Sequence, residues 1–138
     1  MGGFEGLVQG FQVAMAPMNL MWAMLGVTVG TIIGVLPGIG PVTGIAILLP
    51  LTFGREPTGA LIMLAGIYYG AMYGGSTTSI LANIPGESAS VMTAVEGYEM
   101  AKKGRGGAAL GMSAFGSFIA GTVGLLLLAL LAPLLAKM

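Results

Sequence analysis

Apolar and polar residues fall into blocks along the chain, and the blocks predict helices. Phe4, Leu7, Val8 and Phe11 recur at helical spacing, while Glu5, Gln9 and Gln12 fall largely elsewhere around the same helix. That pattern predicts a short helix lying in a membrane interface over residues 1–17, ended near Pro17. Asn19 to Val35 is apolar almost throughout and reads as a first spanning helix, about 25 Å long. Leu36-Pro37-Gly38-Ile39-Gly40-Pro41 interrupts it, because prolines and glycines at this density do not continue a helix. Val42 to Phe53 is apolar again, yet only about 18 Å long if helical, too short to cross a bilayer alone. Residues 18–53 therefore hold either two spans with a broken second one, or one span and a re-entrant hairpin.

After the polar turn Gly54-Arg55-Glu56-Pro57, Thr58 to Tyr73 predicts another helix. Gly74-Gly75-Ser76-Thr77-Thr78-Ser79 and Ile80 to Glu87 follow, so residues 58–87 read as a span with a polar re-entrant segment. Ser88 is the expected N-cap of a helix over Ala89 to Lys103. In it Val91, Val95 and Tyr98 form an apolar stripe and Glu99 pairs with Lys103. Gly104-Arg105-Gly106-Gly107 ends this segment (88–106). Ala108 to Leu131 makes the final span within residues 107–133, stopped near Pro133.

Charge sharpens this picture. No charged residue lies from Gly6 to Gly54, from Pro57 to Gly86, or from Gly106 to Ala136, and each stretch exceeds the roughly 20 residues that cross a bilayer. Of 138 residues, 56% are hydrophobic and 7% charged, with mean hydropathy +0.95, against about 25% charged in a soluble domain. The fold class is an all-α integral membrane protein of about three to four transmembrane helices with broken segments. Lys102, Lys103 and Arg105 are the basic cluster and place residues 88–106 in the cytoplasm, with Arg55 on the opposite side. No Lys or Arg precedes Arg55, which argues against reading the first residues as a signal peptide.

Composition also excludes chemistry. The sequence has no His and no Cys, and its five acidic residues are all Glu, so imidazole or thiolate metal sites and Ser-His-Asp triads are ruled out. Five Lys and Arg balance the five Glu, leaving no basic stripe for nucleic acid. The chain is not read as an enzyme.

Three motif classes remain. Gly26, Gly30 and Gly34 sit four apart, as do Gly66, Gly70 and Gly74, and Gly107 and Gly111 begin a third row. Such rows strip one helix face of side chains and let backbones approach, so packing is their first meaning. Leu36-Pro37-Gly38 and Ile84-Pro85-Gly86 repeat a break; paired breaks in apolar segments point to a transporter binding site. Ser76, Thr77, Thr78, Ser79 and Asn83 gather four hydroxyls and an amide. They suit coordination of a small cation, and donation to an anionic solute aided by half-helix N-termini; the competing reading bonds the hydroxyls back to their own helix. Gly38, Gly40 and Gly86 would present backbone to the same cavity. Tyr68, Tyr69 and Tyr73 either anchor the interface or line that cavity, and Glu87 is either a proton or cation site or an interfacial carboxylate.

Gly34-Val35-Leu36-Pro37-Gly38-Ile39-Gly40-Pro41, Gly66-Ile67-Tyr68-Tyr69-Gly70 with Gly74-Gly75-Ser76-Thr77-Thr78-Ser79, and Asn83-Ile84-Pro85-Gly86-Glu87 together resemble the large membrane subunit of tripartite tricarboxylate transporters, the TctA family. The resemblance runs along the whole chain, including Gly97-Tyr98 and Gly116-Ser117-Phe118. It implies the N-terminal portion of a longer, multi-pass transporter of the bacterial inner membrane. Such a subunit imports a carboxylate by symport with a cation, Na+ or H+, working with a small membrane subunit and a periplasmic solute-binding protein. No other cofactor is implied. The alternative is a small oligomeric pore or structural membrane subunit assembling through its glycine-rich helix faces.

Overall fold

The structure, a computed structural model, describes residues 3–135, and all regular elements among them are helical. Helices α1 (Gly3–Ala14), α2 (Pro17–Gly34), α3 (Pro41–Leu48), α4 (Pro57–Ala82), α5 (Val91–Met100) and α6 (Gly106–Leu135) follow one another. A 3-10 turn, Leu49–Thr52, extends α3, another, Ser88–Ser90, precedes α5, and a wide turn at Ala101–Arg105 joins α5 to α6. This is the all-α membrane architecture that the charge-free blocks predict. By length and hydropathy two segments qualify as spans on their own, Pro17–Gly34 and a stretch within Ser88–Leu131 that contains α6. The uncharged α4, 26 residues or about 39 Å long, is diluted by glycines and hydroxyls.

The centre of the fold is the crossing of α2 on α4, and the glycine rows cause it. A methyl placed on Gly26 would lie 2.3 Å from the carbonyl oxygen of Met63; on Gly30, 2.3 Å from that of Ile67; on Gly34, 2.2 Å from that of Ala71. The converse holds for Gly66, Gly70 and Gly74, which face Ala23, Val27 and Thr31 at 2.8, 2.2 and 2.4 Å. The two rows are therefore pressed backbone to backbone, as small-residue rows allow. Partner numbers rise together along both helices, so α2 and α4 run parallel.

A parallel pair needs a return path, and α3 with its 3-10 extension supplies it. Residues 41–52 cover about 20 Å, matching the roughly 18 Å from Trp22 to Gly34 on α2. Gly44 packs against Ile33 of α2 and Ile67 of α4. At the far end the Arg55 guanidinium lies 3.9 Å from the Trp22 ring centre, and Trp22 contacts Gly59. Residues 41–52 thus run back beside α2 and α4 to the level of the start of α2.

Several expectations are corrected. Helix α4 does not stop at Tyr73; it runs through Gly74–Ser79 to Ala82, because each hydroxyl finds a carbonyl one turn back. Ser88 is not the N-cap of α5: Ser90 is, and Glu87 caps the 3-10 turn before it, its N–H donating to Ser90 Oγ at 3.3 Å and the Ser90 hydroxyl donating to the Glu87 carbonyl at 2.9 Å. Glu99 pairs with Lys102, three residues on, not with Lys103. Val91 and Val95 face outward, and Ala94 and Gly97 are the buried face of α5, with Gly97 against Ile80. Gly104 breaks the chain as expected, at φ 75°, and α6 passes Pro133 to Leu135. The third glycine row is open: Gly107 and Gly111 meet nothing within 4 Å.

Arg55 and the basic cluster sit at opposite ends of α4. Arg55 stacks beside its first turn, whereas Gly106, next to Arg105, packs near Leu81 of its last.

Candidate functional site

The two Pro-Gly breaks meet. Beyond α4, Asn83 takes the left-handed conformation (φ 57°) and turns the chain back, so that Gly86 comes to rest against Gly75, the residue after the last glycine of the row. A methyl on Gly86 would lie 2.4 Å from Gly75 Cα and 3.1 Å from the Gly34 carbonyl oxygen. The Gly38 N–H donates to the Gly86 carbonyl at 3.3 Å, tying the first break to the second. Gly38 itself sits at φ 82° with open space around it, a conformation that suits glycine. Gly40 is the extended N-cap of α3, and a methyl there would lie 3.9 Å from Glu87 Cβ. The start of α3 and the start of the α5 segment thus converge on one point, beside the end of α2.

Of the residues singled out from the sequence, Gly38, Gly40 and Gly86 come together at this joint. Thr78 binds it to α4: its hydroxyl lies 3.0 Å from the Val35 carbonyl and 3.3 Å from that of Gly74. Val35 caps α2, whose last carbonyls lack helical partners, and Thr78 fills one of those vacancies. The other hydroxyls act within α4: Ser76 on Met72 (3.2 Å), Thr77 on Tyr73 (3.0 Å) and the fully buried Ser79 on Gly75 (2.8 Å). A hydroxyl that donates to a carbonyl has spent its proton but keeps its lone pairs. The cluster can still offer oxygens to a cation; donation to an anion by these hydroxyls is not available in this arrangement. Asn83 is exposed, and its place is explained by the left-handed turn, which Asn tolerates.

Next to the joint, α4, α5 and α6 line an open cavity of about 610 Å³. Its polar lining is Ser76, Glu87, Ser90, Thr93, Glu96 and Ser113, with Ser117 at the α6 end. Except for Ser76 and Glu87, these residues were not singled out by the sequence. The signal was there as spacing: Thr93 and Glu96 three apart on α5, Ser113 and Ser117 four apart on α6, each pair on one helix face. Burial without a basic neighbour pushes the Glu87 carboxyl in the linker above the usual carboxylate range. Tyr69 and Tyr73 line a different groove, apolar in character, with Phe11, Phe118 and Leu125.

Residues 20–138 match the tripartite tricarboxylate transporter TctA family. The chain belongs to the TctA family. It is 60% identical over 128 residues to an Agrobacterium vitis protein described as an uncharacterized 52.8 kDa protein in the TAR-I ttuC' 3' region. That match takes in 93% of this chain and 26% of the relative, so this TctA chain spans about a quarter of the relative's length. No solved structure matches it. The match contains both Pro-Gly breaks and the whole α2–α4 crossing, so the geometry described above belongs to the family segment of the chain.

Proposed function

We propose that this TctA chain forms part of a secondary-active transporter subunit that imports a carboxylate solute, of tricarboxylate type, across the bacterial inner membrane. The reading includes symport with Na+ or H+, a small membrane subunit and a periplasmic solute-binding protein as partners. The observation that carries it is the hydrogen bond from Gly38 to Gly86 joining two Pro-Gly breaks between uncharged helices. Non-helical backbone among apolar helices is stable only when it is buried in protein or lines a cavity. Here Gly86 is buried in protein and Gly38 and Gly40 lie at the surface of the joint, where the starts of α3 and α5 would add partial positive charge for a solute carboxylate.

The back-bonded hydroxyls shift the division of labour. Backbone at 38–40 and 86 takes the solute, and the oxygens of Ser76 and Thr78 serve the cation. The alternative, a pore or structural subunit assembling through glycine faces, loses support because α2 and α4 consume their glycine rows within one chain.

The reading is tested by uptake of labelled citrate into proteoliposomes holding a complete transporter that carries this sequence. Uptake that needs the binding protein and an inward cation gradient is expected. Downhill leakage independent of both refutes it.

A further inference from the structure

Glu87 is the charged residue that touches both the joint and the cavity. Its main chain directly follows Gly86, whose carbonyl holds Gly38, and is fixed by the two-way bonding with Ser90. Its Cβ faces Gly40, its Cγ lies 3.8 Å from where a methyl on Gly75 would be, and its carboxyl opens on the cavity. The groups around it are few. Helix α4 presents Ser76 between Met72 and Ile80; α6 presents Ser113 and Ser117; the α5 segment presents Ser90, Thr93 and Glu96. Neither Gly40 nor Gly75 brings a titratable group. No Lys or Arg lines the cavity, and Lys102 is engaged with Glu99. Burial with no base beside it acts against ionisation of Glu87.

We propose that Glu87 is a proton-binding latch on the Pro-Gly joint. With its proton on, the neutral side chain keeps its Cβ and Cγ against the bare backbone at Gly40 and Gly75, and the Gly38–Gly86 bond holds. When the O–H bond breaks, the electron pair stays on the carboxylate and the proton passes to cavity water. The carboxylate then seeks water and the Thr93 and Ser113 hydroxyls, and draws residues 86–87 away from Gly38. A conventional glutamate side chain can do this because both surfaces it rests on are glycine. The latch rests on the joint being the solute site and adds its regulation: the joint closes on protonation and opens on deprotonation.

The test uses the full chain in lipid nanodiscs, with spin labels on Leu36→Cys and Ile84→Cys, in a sequence with no cysteine of its own. The label separation is expected to lengthen as pH rises, with a midpoint above that of an exposed Glu. Glu87→Gln should hold the short separation at every pH. Glu96→Gln, at the other carboxylate of the lining, should keep the transition. Infrared titration of the wild type should show a carboxyl band lost with the same midpoint, a reading that stands if Glu87→Gln does not fold. A separation that does not change with pH, a transition that survives in Glu87→Gln, or no carboxyl band titrating in step overturns the latch. Citrate uptake is measured separately: intact uptake with no latch transition overturns the latch alone, and an intact transition without uptake overturns the transport reading alone.

Discussion

Gly30→Ala is the sharpest probe of what holds this chain together. The added methyl would sit 2.3 Å from the Ile67 carbonyl oxygen, 2.7 Å from its Cα and 2.9 Å from its carbonyl carbon. All three are backbone atoms, so no side chain can swing aside. To restore ordinary contact at about 3.3 Å or more, the helices must part by about 1 Å along a face where Gly26, Gly34, Gly66 and Gly70 are equally close. Forcing a methyl into a packed site costs about 1–3 kcal/mol, and parting two rows at once puts this variant at the upper end. Gly111→Ala is the matched control, because nothing lies within 4 Å of that position. The assay is reversible unfolding in mixed micelles followed by the single tryptophan, Trp22, which itself packs on Gly59 at the α2–α4 contact. Gly30→Ala should lose about 2–3 kcal/mol, and Gly111→Ala should stay within about 0.5 kcal/mol of the parent. Equal stability of the two variants would refute the backbone-to-backbone crossing.

Thr78→Val keeps shape but leaves the Val35 carbonyl at the end of α2 without its partner, and should cost about 1–3 kcal/mol in the same assay; Thr77→Val, whose bond stays within α4, should cost less. The Thr58 side chain, together with the Gly59 and Thr58 N–H groups that donate to it, holds the Glu56 carboxyl below the usual range. Its folded value being the lower one, the cap stabilises α4 above the unfolded value and is lost as pH falls through the folded value; Glu56→Gln should flatten that acid-side loss of helix in circular dichroism. Single cysteines at 56 and 103 should label from opposite faces of sealed vesicles, since those positions flank opposite ends of α4; labelling from one face would contradict the parallel crossing.

The sequence carried the breaks and the contacts better than the course of the chain. Pro37-Gly38 and Pro85-Gly86 end helices wherever they occur, and rows of glycine four apart have one structural use, so both were legible locally. The parallel pairing of α2 and α4 was not, because a glycine row packs equally well in either direction; the return through Pro41–Thr52 decided it. Gly74–Ser79 was misread as unwound because four hydroxyls satisfy themselves equally well with a ligand or with carbonyls one turn back. The cavity escaped notice because its polar residues come singly from three helices, close in space and far apart in sequence.

The claim that the joined Pro-Gly backbone takes the solute is tested most directly by protection. In a complete transporter carrying this sequence, single cysteines at Leu36, beside the Gly38–Gly86 bond, and at Lys103, at the same end of α4 but on the α5–α6 turn, are modified with a water-soluble maleimide with and without saturating citrate. The account expects citrate to slow labelling at 36 several-fold and to leave labelling at 103 unchanged. Equal labelling at 36 with and without citrate, in a transporter that still takes citrate up, would contradict it.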